Sequence, residues 1–281
     1  MSEAPATPRL AASLILLTLT SEAGLLTLLL TRTAKASFMP NALVFPGGGL
    51  EPQDLERARR SLETGERFTN WEAWGFTSEV DALAQRACAL RECDEEAGAQ
   101  LTPALQGLSL PCVGRWLTPA RLPKRFDTSF WLGLLDAPLQ VHPDQSEVVD
   151  GAWRAPAQVL DAYRRGELEL APPTIRLLAD LSALAEDPQL MTWWRAPATS
   201  RLARLGVALA GAPHPEPVCP HLVKRTRENE LWLCFPGDEA FPDPSRAYHP
   251  QPSSPYNRLM RPIDQPTTPW RLHVSSSEPS S

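Results

Sequence analysis

An α/β (α+β) layered domain is what this 281-residue chain predicts, and three observations carry that expectation. Two runs rich in Leu, Ile and Thr between residues 10 and 31 are parted by Ser21-Glu22-Ala23-Gly24, which is the pattern of two strands joined by a turn. Ser78-Glu79-Val80-Asp81 has the form of a capping box, and Gly98 is a natural stop, so a helix is expected between them. Strand-like and helix-like runs then alternate to about residue 187, as they do when helices layer on a sheet.

Taken in order, residues 1–9, with Pro5 and Pro8, are expected to form a frayed tail. Strands follow at 10–20, 25–32 and 42–45, the last running into Pro46-Gly47-Gly48-Gly49. The apolar stretch from Leu10 to Thr31 is interrupted too early for either half to cross a bilayer. One Arg and one Glu precede it, which is not the basic start of a secretory signal, so the stretch reads as a hairpin. Residues 55–77 read as polar and irregular, with Phe68, Trp71, Trp74 and Phe76 clustered among charges. These aromatics either pack that segment down or form a lid, and packing suits their area better. Strands are expected at 108–118, at 126–136 and around Trp153, and helices at 155–165 and 174–186, with Pro173 near the first turn of the second.

The remainder differs in composition. Of the 30 prolines, 16 lie in residues 188–281, so this part is expected to pack on a main domain of residues 10–187 as an extended arm. One hairpin is expected within it, from "HLVKRT" and "ELWLCF".

Bulk properties narrow the function. A hydrophobic fraction of 43% with 21% charge describes a soluble globular chain with a real core. A formal charge of −6 and the lack of a basic stripe exclude a nucleic-acid-coating protein. Five cysteines, odd in number and without a CxxC pair, read as reduced thiols in the cytoplasm. Cys219-Pro-His221 lacks the second pair of ligands that a zinc site needs. A homodimer is compatible with all of this.

The chemistry lies in "LVFPGGGLEPQD" (Leu43 to Asp54) and "CALRECDEEAGA" (Cys88 to Ala99). A helix over the second stretch puts Glu92, Glu95 and Glu96 on one face and Val80, Leu83, Ala87, Leu90 and Ala97 on the other. Like charges at that spacing oppose the helix, so something has to offset them. Arg91 can brace one carboxylate, and oxygen-only ligands converging from a helix suit Mg²⁺ or Mn²⁺. A bare Glu-x-x-Glu-Glu is more often a solvated acidic face. Here it stands with a strand-borne glycine loop, an Arg-Glu pair and a closing Gly98.

Together, "PGGG…D…RECDEEAG" resembles the Nudix hydrolase box, in which a glycine, an acid and an Arg-Glu-x-x-Glu-Glu helix follow at fixed spacing. Aligning Gly48 with the first glycine puts Asp54 at the acid, but the arginine due at position 62 stands at 91. An insertion at about 55–83 therefore splits the box. "SFMPNALVFPGG" before it and "WLTPARLPKRFDTSFWL" after it resemble the Nudix branch of the RP2-like coenzyme A diphosphatases, whose box is also split.

That resemblance implies an α/β/α sandwich with a central mixed sheet, and a metal-dependent hydrolase acting on a small nucleoside diphosphate derivative. Coenzyme A or acyl-CoA is the expected substrate class. An ADP-ribose or NADH pyrophosphatase and a non-catalytic nucleotide-binding module are the alternatives, and neither a membrane nor a nucleic acid is expected as partner. Glu92, Glu95 and Glu96 map onto the family's metal ligands, and Arg91 onto its bracing arginine within the catalytic machinery. Asp54 becomes a structural acid, and Glu51 has no assigned role. The general base in this superfamily often comes from a loop outside the box. Glu147, six residues before Trp153, fits that place, with Glu96 as the competitor.

Candidate substrate contacts are the backbone of Gly47 and Gly48, with Arg32, Arg125 and Phe126. Arg32 stands where coenzyme A-cleaving members often carry an arginine, whereas Met39 and Asn41 replace the His and Gly of their motif. Arg125 and Phe126 offer a cation and an aromatic ring, although an Arg125–Asp127 structural pair fits the same spacing.

Overall fold

The predicted hairpin opens the fold, as β1 (Arg9–Thr20) and β2 (Gly24–Arg32), antiparallel from Leu17 opposite Thr27 to Thr20 opposite Gly24. This computed structural model describes residues 5–36, 39–98, 103–105, 110–122, 124–210, 213–242, 255–265 and 268–272. Leu14, Ile15, Leu16 and Leu17 of β1 are all fully buried. Successive strand side chains point to opposite faces, so unbroken burial means that both faces of the sheet are covered. Each such side chain contributes roughly 1.5–3 kcal/mol relative to exposure.

β3 (Leu43–Val44) and β4 (Gly47–Gly49) follow, then helices α1 (Pro52–Glu63) and α2 (Glu79–Ala97). Next come β5 (Cys112–Leu117), β6 (Phe126–Leu134), β7 (Val148–Arg154), α3 (Pro156–Arg164) and α4 (Pro172–Ala185). The sheet runs β3-β2-β1-β6-β5, with β4 added beside β1 and β7 beside β2. β1 and β6 are parallel and the other pairs antiparallel, which makes the sheet mixed, as expected. Helix α2 packs against β1, β4 and β6, while α3 meets β2. Ser78 caps α2 by accepting from the Asp81 N–H at 3.1 Å. Residues 106–109, the start of the strand expected at 108–118, lie outside the described residues, as does Ala99.

The insertion is more ordered than its composition suggests, since 52–63 forms α1 where an irregular stretch is expected. Pro52 presets the first turn, and the Glu51 N–H donates to Asp54 Oδ2 at 2.9 Å, so Glu51 is the N-cap. Leu55, Ala58 and Leu62, spaced three and four apart, meet Leu83 and Ala84 of α2. The dense charge of "LERARRSLE" hides that narrow apolar stripe. The aromatics pack, as expected. Phe68 and Phe76 lie on the fully buried Trp131 of β6, with ring centroids 5.2 and 5.9 Å away. Arg115 of β5 stacks its guanidinium 5.0 Å from the Phe76 ring centre and donates to the Trp74 carbonyl at 2.8 Å.

The C-terminal part also departs from an extended arm. It contains α5 (Leu190–Trp194), α6 (Ala198–Ala210) and a second, four-stranded antiparallel sheet. That sheet consists of β8 (His221–Arg225), β9 (Glu230–Cys234), β10 (Arg258–Pro262) and β11 (Arg271–Leu272), and β8–β9 is the expected hairpin. Buried Leu202, Leu205 and Leu209 seat α6 against β5 and β6. Among the described residues most of these prolines stand between the helices and strands, with Pro262 ending β10, so their number misleads about order. Val218 pairs with β5 in parallel, taking a hydrogen bond from the Leu117 N–H at 2.8 Å and giving one to the Arg115 carbonyl at 2.7 Å. This covers a sheet edge that would otherwise expose unpaired backbone groups. Tyr163 of α3, 1% exposed, donates to the Trp270 carbonyl at 2.7 Å and ties down the second sheet. Among the described residues no helix is long and apolar enough to cross a membrane.

Gly75 joins the insertion to this C-terminal part. Its φ is +68°, and a Cβ there would collide with the Pro215 carbonyl oxygen. Gly75→Ala should therefore destabilise the protein by about 2 kcal/mol, combining left-handed strain with overpacking. Thermal unfolding should register a drop of several degrees, at roughly 2–4 °C per kcal/mol for a chain near this size. An unchanged melting temperature would show that Pro215 is not seated there.

Candidate functional site

The two halves of the split motif meet across one buried guanidinium. Arg91 of α2 is 4% exposed and Asp54 of α1 is 0% exposed. Arg91 Nε and Nη2 each donate to one Asp54 oxygen at 3.0 Å, a bidentate pair. Nη2 also donates to the Gly49 carbonyl at 3.0 Å, while Nη1 reaches Glu92 Oε1 at 3.0 Å and Glu95 Oε2 at 2.8 Å. Arg91 thus contacts the carboxylates of Asp54, Glu92 and Glu95 together, and Asp54 points at Arg91.

The glycine loop lies directly on the carboxylate helix. Gly47 N–H donates to Glu96 Oε2 at 2.9 Å. At Gly48 a Cβ would stand 2.5 Å from the Glu92 carboxylate, so no larger residue fits without displacing it. The Cys88 thiol, one helical turn before Glu92, lies 3.3 Å from the Gly49 carbonyl oxygen.

Glu96 is 3% exposed, and its second oxygen, Oε1, is buried with no hydrogen-bond partner. Burial above all pushes its pKa up to about 8; the Gly47 N–H and Arg32 oppose the shift, and Glu92 and Glu147 add to it. Glu92 is raised as well, again chiefly by burial, with Arg91 opposing and Glu95 and Glu147 reinforcing. A buried carboxylate oxygen without a donor, among other carboxylates, is what a hard divalent cation satisfies. The residues fit Mg²⁺ or Mn²⁺ on that ground.

Glu95 is placed differently. It is 55% exposed and turned onto Arg91. Among the described residues no three His, Cys, Asp or Glu side chains converge as a ready-made cation cage. Glu92 and Glu96 face the glycine loop, and Arg91 draws the third carboxylate of the expected trio aside.

Glu147 is brought to this cluster by a tether that sequence reading missed. His142 N–H donates to the Ala97 carbonyl at 2.9 Å and Asp144 N–H to the Glu96 carbonyl at 3.3 Å, fastening the loop to the end of α2. The Asp144 carboxylate then accepts from the N–H groups of Ser146, Glu147 and Val148 at 3.0–3.2 Å. Slight burial works against its charge. The Ser146 hydroxyl and those N–H groups outweigh that and hold Asp144 below the usual carboxylate range. The signal was Asp-x-Ser-Glu, an acid followed by donors within a turn. Thr33 N–H donates to the Glu147 carbonyl at 2.9 Å, and β2 pairs Arg32 with Val148, so Arg32 and Glu147 flank the same edge.

Arg125 and Phe126 belong to another constellation. Arg125 Nε donates to the Thr118 carbonyl at 3.0 Å and Nη1 to the Ala6 carbonyl at 2.9 Å. Phe126 starts β6 opposite Arg9, its N–H on Thr118 Oγ1 at 3.0 Å. Nor does Arg125 make the pair with Asp127 that its spacing allows, since Asp127 bonds Arg115 at 2.7 Å. Met39 and Asn41 both adopt left-handed backbone, φ 49° and 62°, so Asn41 keeps a conformation open to the glycine it replaces.

Comparison with known proteins agrees with this geometry. The family model described as the NUDT19 Nudix domain matches residues 100–181, immediately beyond the carboxylate helix. The putative nudix hydrolase 7 of Caenorhabditis elegans is 27% identical over 280 residues, covering 96% of this chain and 86% of that one. The human acyl-coenzyme A diphosphatase NUDT19 is 28% identical over 235 residues, covering 58% of this chain and 63% of that one. Its Xenopus laevis counterpart is 25% identical, covering 56% and 60%. This chain thus spans about three fifths of the length of those two diphosphatases. Among solved structures, a NUDIX hydrolase from Alicyclobacillus acidocaldarius aligns over 63% of this chain and 92% of that one, at 24% identity and a TM-score of 0.49. The split motif closes in space through Arg91 and Glu96, and the matches continue where the motif ends: the chain is similar to the Nudix hydrolases, and to the NUDT19 branch among them.

Proposed function

We propose that this protein hydrolyses the diphosphate linkage of a nucleoside diphosphate derivative of the coenzyme A or acyl-CoA class, with Mg²⁺ or Mn²⁺ held at Glu92 and Glu96. The observation that carries the reading is the contact of Gly47 and Gly48 with Glu96 and Glu92, which closes a loop and a carboxylate helix separated by an insertion. The coenzyme A class is supported by the acyl-coenzyme A diphosphatase activity for which the NUDT19 relatives are named and by the place of Arg32 beside the cluster.

What a bound divalent cation supplies is neutralisation of charge on the bridging and leaving oxygens of the diphosphate. The chain's own residues do the rest. Glu96, with Oε2 bonded by the Gly47 N–H and Oε1 buried without a donor, and Glu92, steadied by Arg91, would hold the ion. Arg91 acts as a positioning residue, since its donors are engaged by Asp54, Gly49, Glu92 and Glu95. Glu147, exposed on its tethered loop, takes the proton of the attacking water at its carboxylate. Glu96 is the poorer base, because one of its oxygens is already bonded. Arg32 faces the negative substrate from the strand edge.

A panel of coenzyme A, acyl-CoAs, ADP-ribose, NADH and dinucleoside polyphosphates, each with Mg²⁺ and with Mn²⁺, tests the substrate class. Coenzyme A derivatives should give the highest kcat/KM. Preference for ADP-ribose or NADH would reassign the substrate, and no turnover of any member would favour a binding module. Glu147→Gln should lower kcat by about 10²–10⁴-fold, the usual worth of a general base. Under the same assay Glu96→Gln should also lose Mn²⁺ binding, read directly by calorimetry. Full activity in both variants, or in the presence of chelator, is incompatible with the mechanism.

The clamp has its own test. Arg91→Ala leaves Asp54 charged and buried, which should cost about 3–5 kcal/mol in urea unfolding. Removing Asp54 as well should cost clearly less than the sum of the two single changes, since the residues touch. Additive losses would show that the pair does not hold the motif together.

A further inference from the structure

A pocket lies on the other side of the carboxylate helix. It is an open groove of about 390 Å³ along α1 and α2, lined by Arg57, Arg60, Arg86, Leu83, Leu90 and Leu105, among others. On α2 the lining positions 83, 86, 87 and 90 form one stripe, and Glu92, Glu95 and Glu96 form the opposite one, by the 3.6-residue period. The pocket is therefore not an extension of the glycine-loop site.

Its charge is unbalanced. Arg57 and Arg60 project from one face of α1 and make no ion pair among the described residues. Arg86 is 5% exposed and pairs with Glu66, yet its Nη1 is buried without a hydrogen-bond partner. Leaving a guanidinium N–H buried and unpaired is costly, and gathering three arginines raises that cost by repulsion. Three guanidinium groups against one carboxylate leave two positive charges, the charge of a phosphate monoester dianion of opposite sign. Planar guanidinium forks match phosphate oxygens in geometry. Ser61 adds a hydroxyl at the rim, while Leu83, Leu90 and Leu105 supply apolar wall for the body of such a molecule. The volume falls in the range of small-molecule sites, about 300–1,000 Å³.

We propose that this pocket binds a small organic phosphate monoester, its phosphate on Arg57, Arg60 and Arg86 and its apolar part against Leu83, Leu90 and Leu105. Titration calorimetry of the full chain in EDTA tests this, because removing divalent cations silences phosphate binding at Glu92 and Glu96. Hexyl phosphate should bind at one site, inorganic phosphate more weakly, and hexanol not at all. The Arg57→Ala, Arg60→Ala double variant alters two exposed residues and should keep its fold by circular dichroism. It should bind hexyl phosphate at least tenfold more weakly. Glu66→Gln, which frees Arg86 and adds to the positive excess, should tighten binding severalfold. No saturable binding at millimolar hexyl phosphate, or affinity unchanged in the double variant, or binding seen only with Mg²⁺ present, would each overturn the assignment.

Discussion

The buried pair of Arg91 and Asp54 is the constraint on which the site depends. It joins the helix that carries the carboxylates to the helix that follows the glycine loop, and it fixes the loop through the Gly49 carbonyl. An insertion costs little in chain entropy, since each doubling of loop length adds only about 0.6 kcal/mol. Geometry is the harder problem, because the ends must return to the register an uninterrupted motif would have. A planar fork with five donors does this better than a point charge. It bonds Asp54 through two nitrogens and still reaches Glu92 and Glu95 with a third. Motif closure thereby becomes a tertiary property rather than a local one.

Around that clamp the protein collects like charge in a buried place. Glu96 and Glu92 are both shifted toward the protonated form, first by burial, and then by Glu92 and Glu147 at Glu96 and by Glu95 and Glu147 at Glu92. Such a cluster is unfavourable alone, and fold stability does not require it. The core of β1, β6 and α2 is apolar and well filled without it. The loop glycines are small because Glu92 needs the space above Gly48. Side-chain size, charge and backbone approach thus converge on the same two carboxylates, Glu92 and Glu96.

Much of this was legible in the amino-acid order. The continuous Leu-Ile run of β1, buried on both faces, shows no period-two alternation, yet length and turn chemistry still identified the hairpin. Ser78 and Gly98 delimited α2, and the spacing of Glu92, Glu95 and Glu96 gave their shared face. What stayed hidden was of two kinds. Helix α1 lay under a run of charges, because its buried stripe consists of three residues and its cap uses Glu51 and Asp54 instead of Ser or Thr. The division of labour among the glutamates was hidden as well. Spacing puts three acids on one face but does not say that Arg91 claims Glu95, or that Asp144 carries Glu147 to the cluster. Those are contacts between segments far apart in the chain, and a one-dimensional pattern holds no record of them.

The insertion and the C-terminal part explain each other. Phe68 and Phe76 fasten the insertion to Trp131, at the centre of the sheet beneath it, and Arg115 covers the far side of the Phe76 ring. Pro215 then closes over Gly75 so tightly that no side chain fits, and three residues later Val218 seals the edge of β5. An aromatic-rich segment inserted into a catalytic motif would otherwise present apolar surface beside the site. Here Trp74 and Phe76 are buried, Phe68 lies on Trp131 and Pro215 covers Gly75, while the charged face of α1 and much of the stretch 63–73 meet solvent. The interruption of the motif is consequently a built layer, joined to α2 through Leu83 and Ala84 and through the Arg91–Asp54 pair.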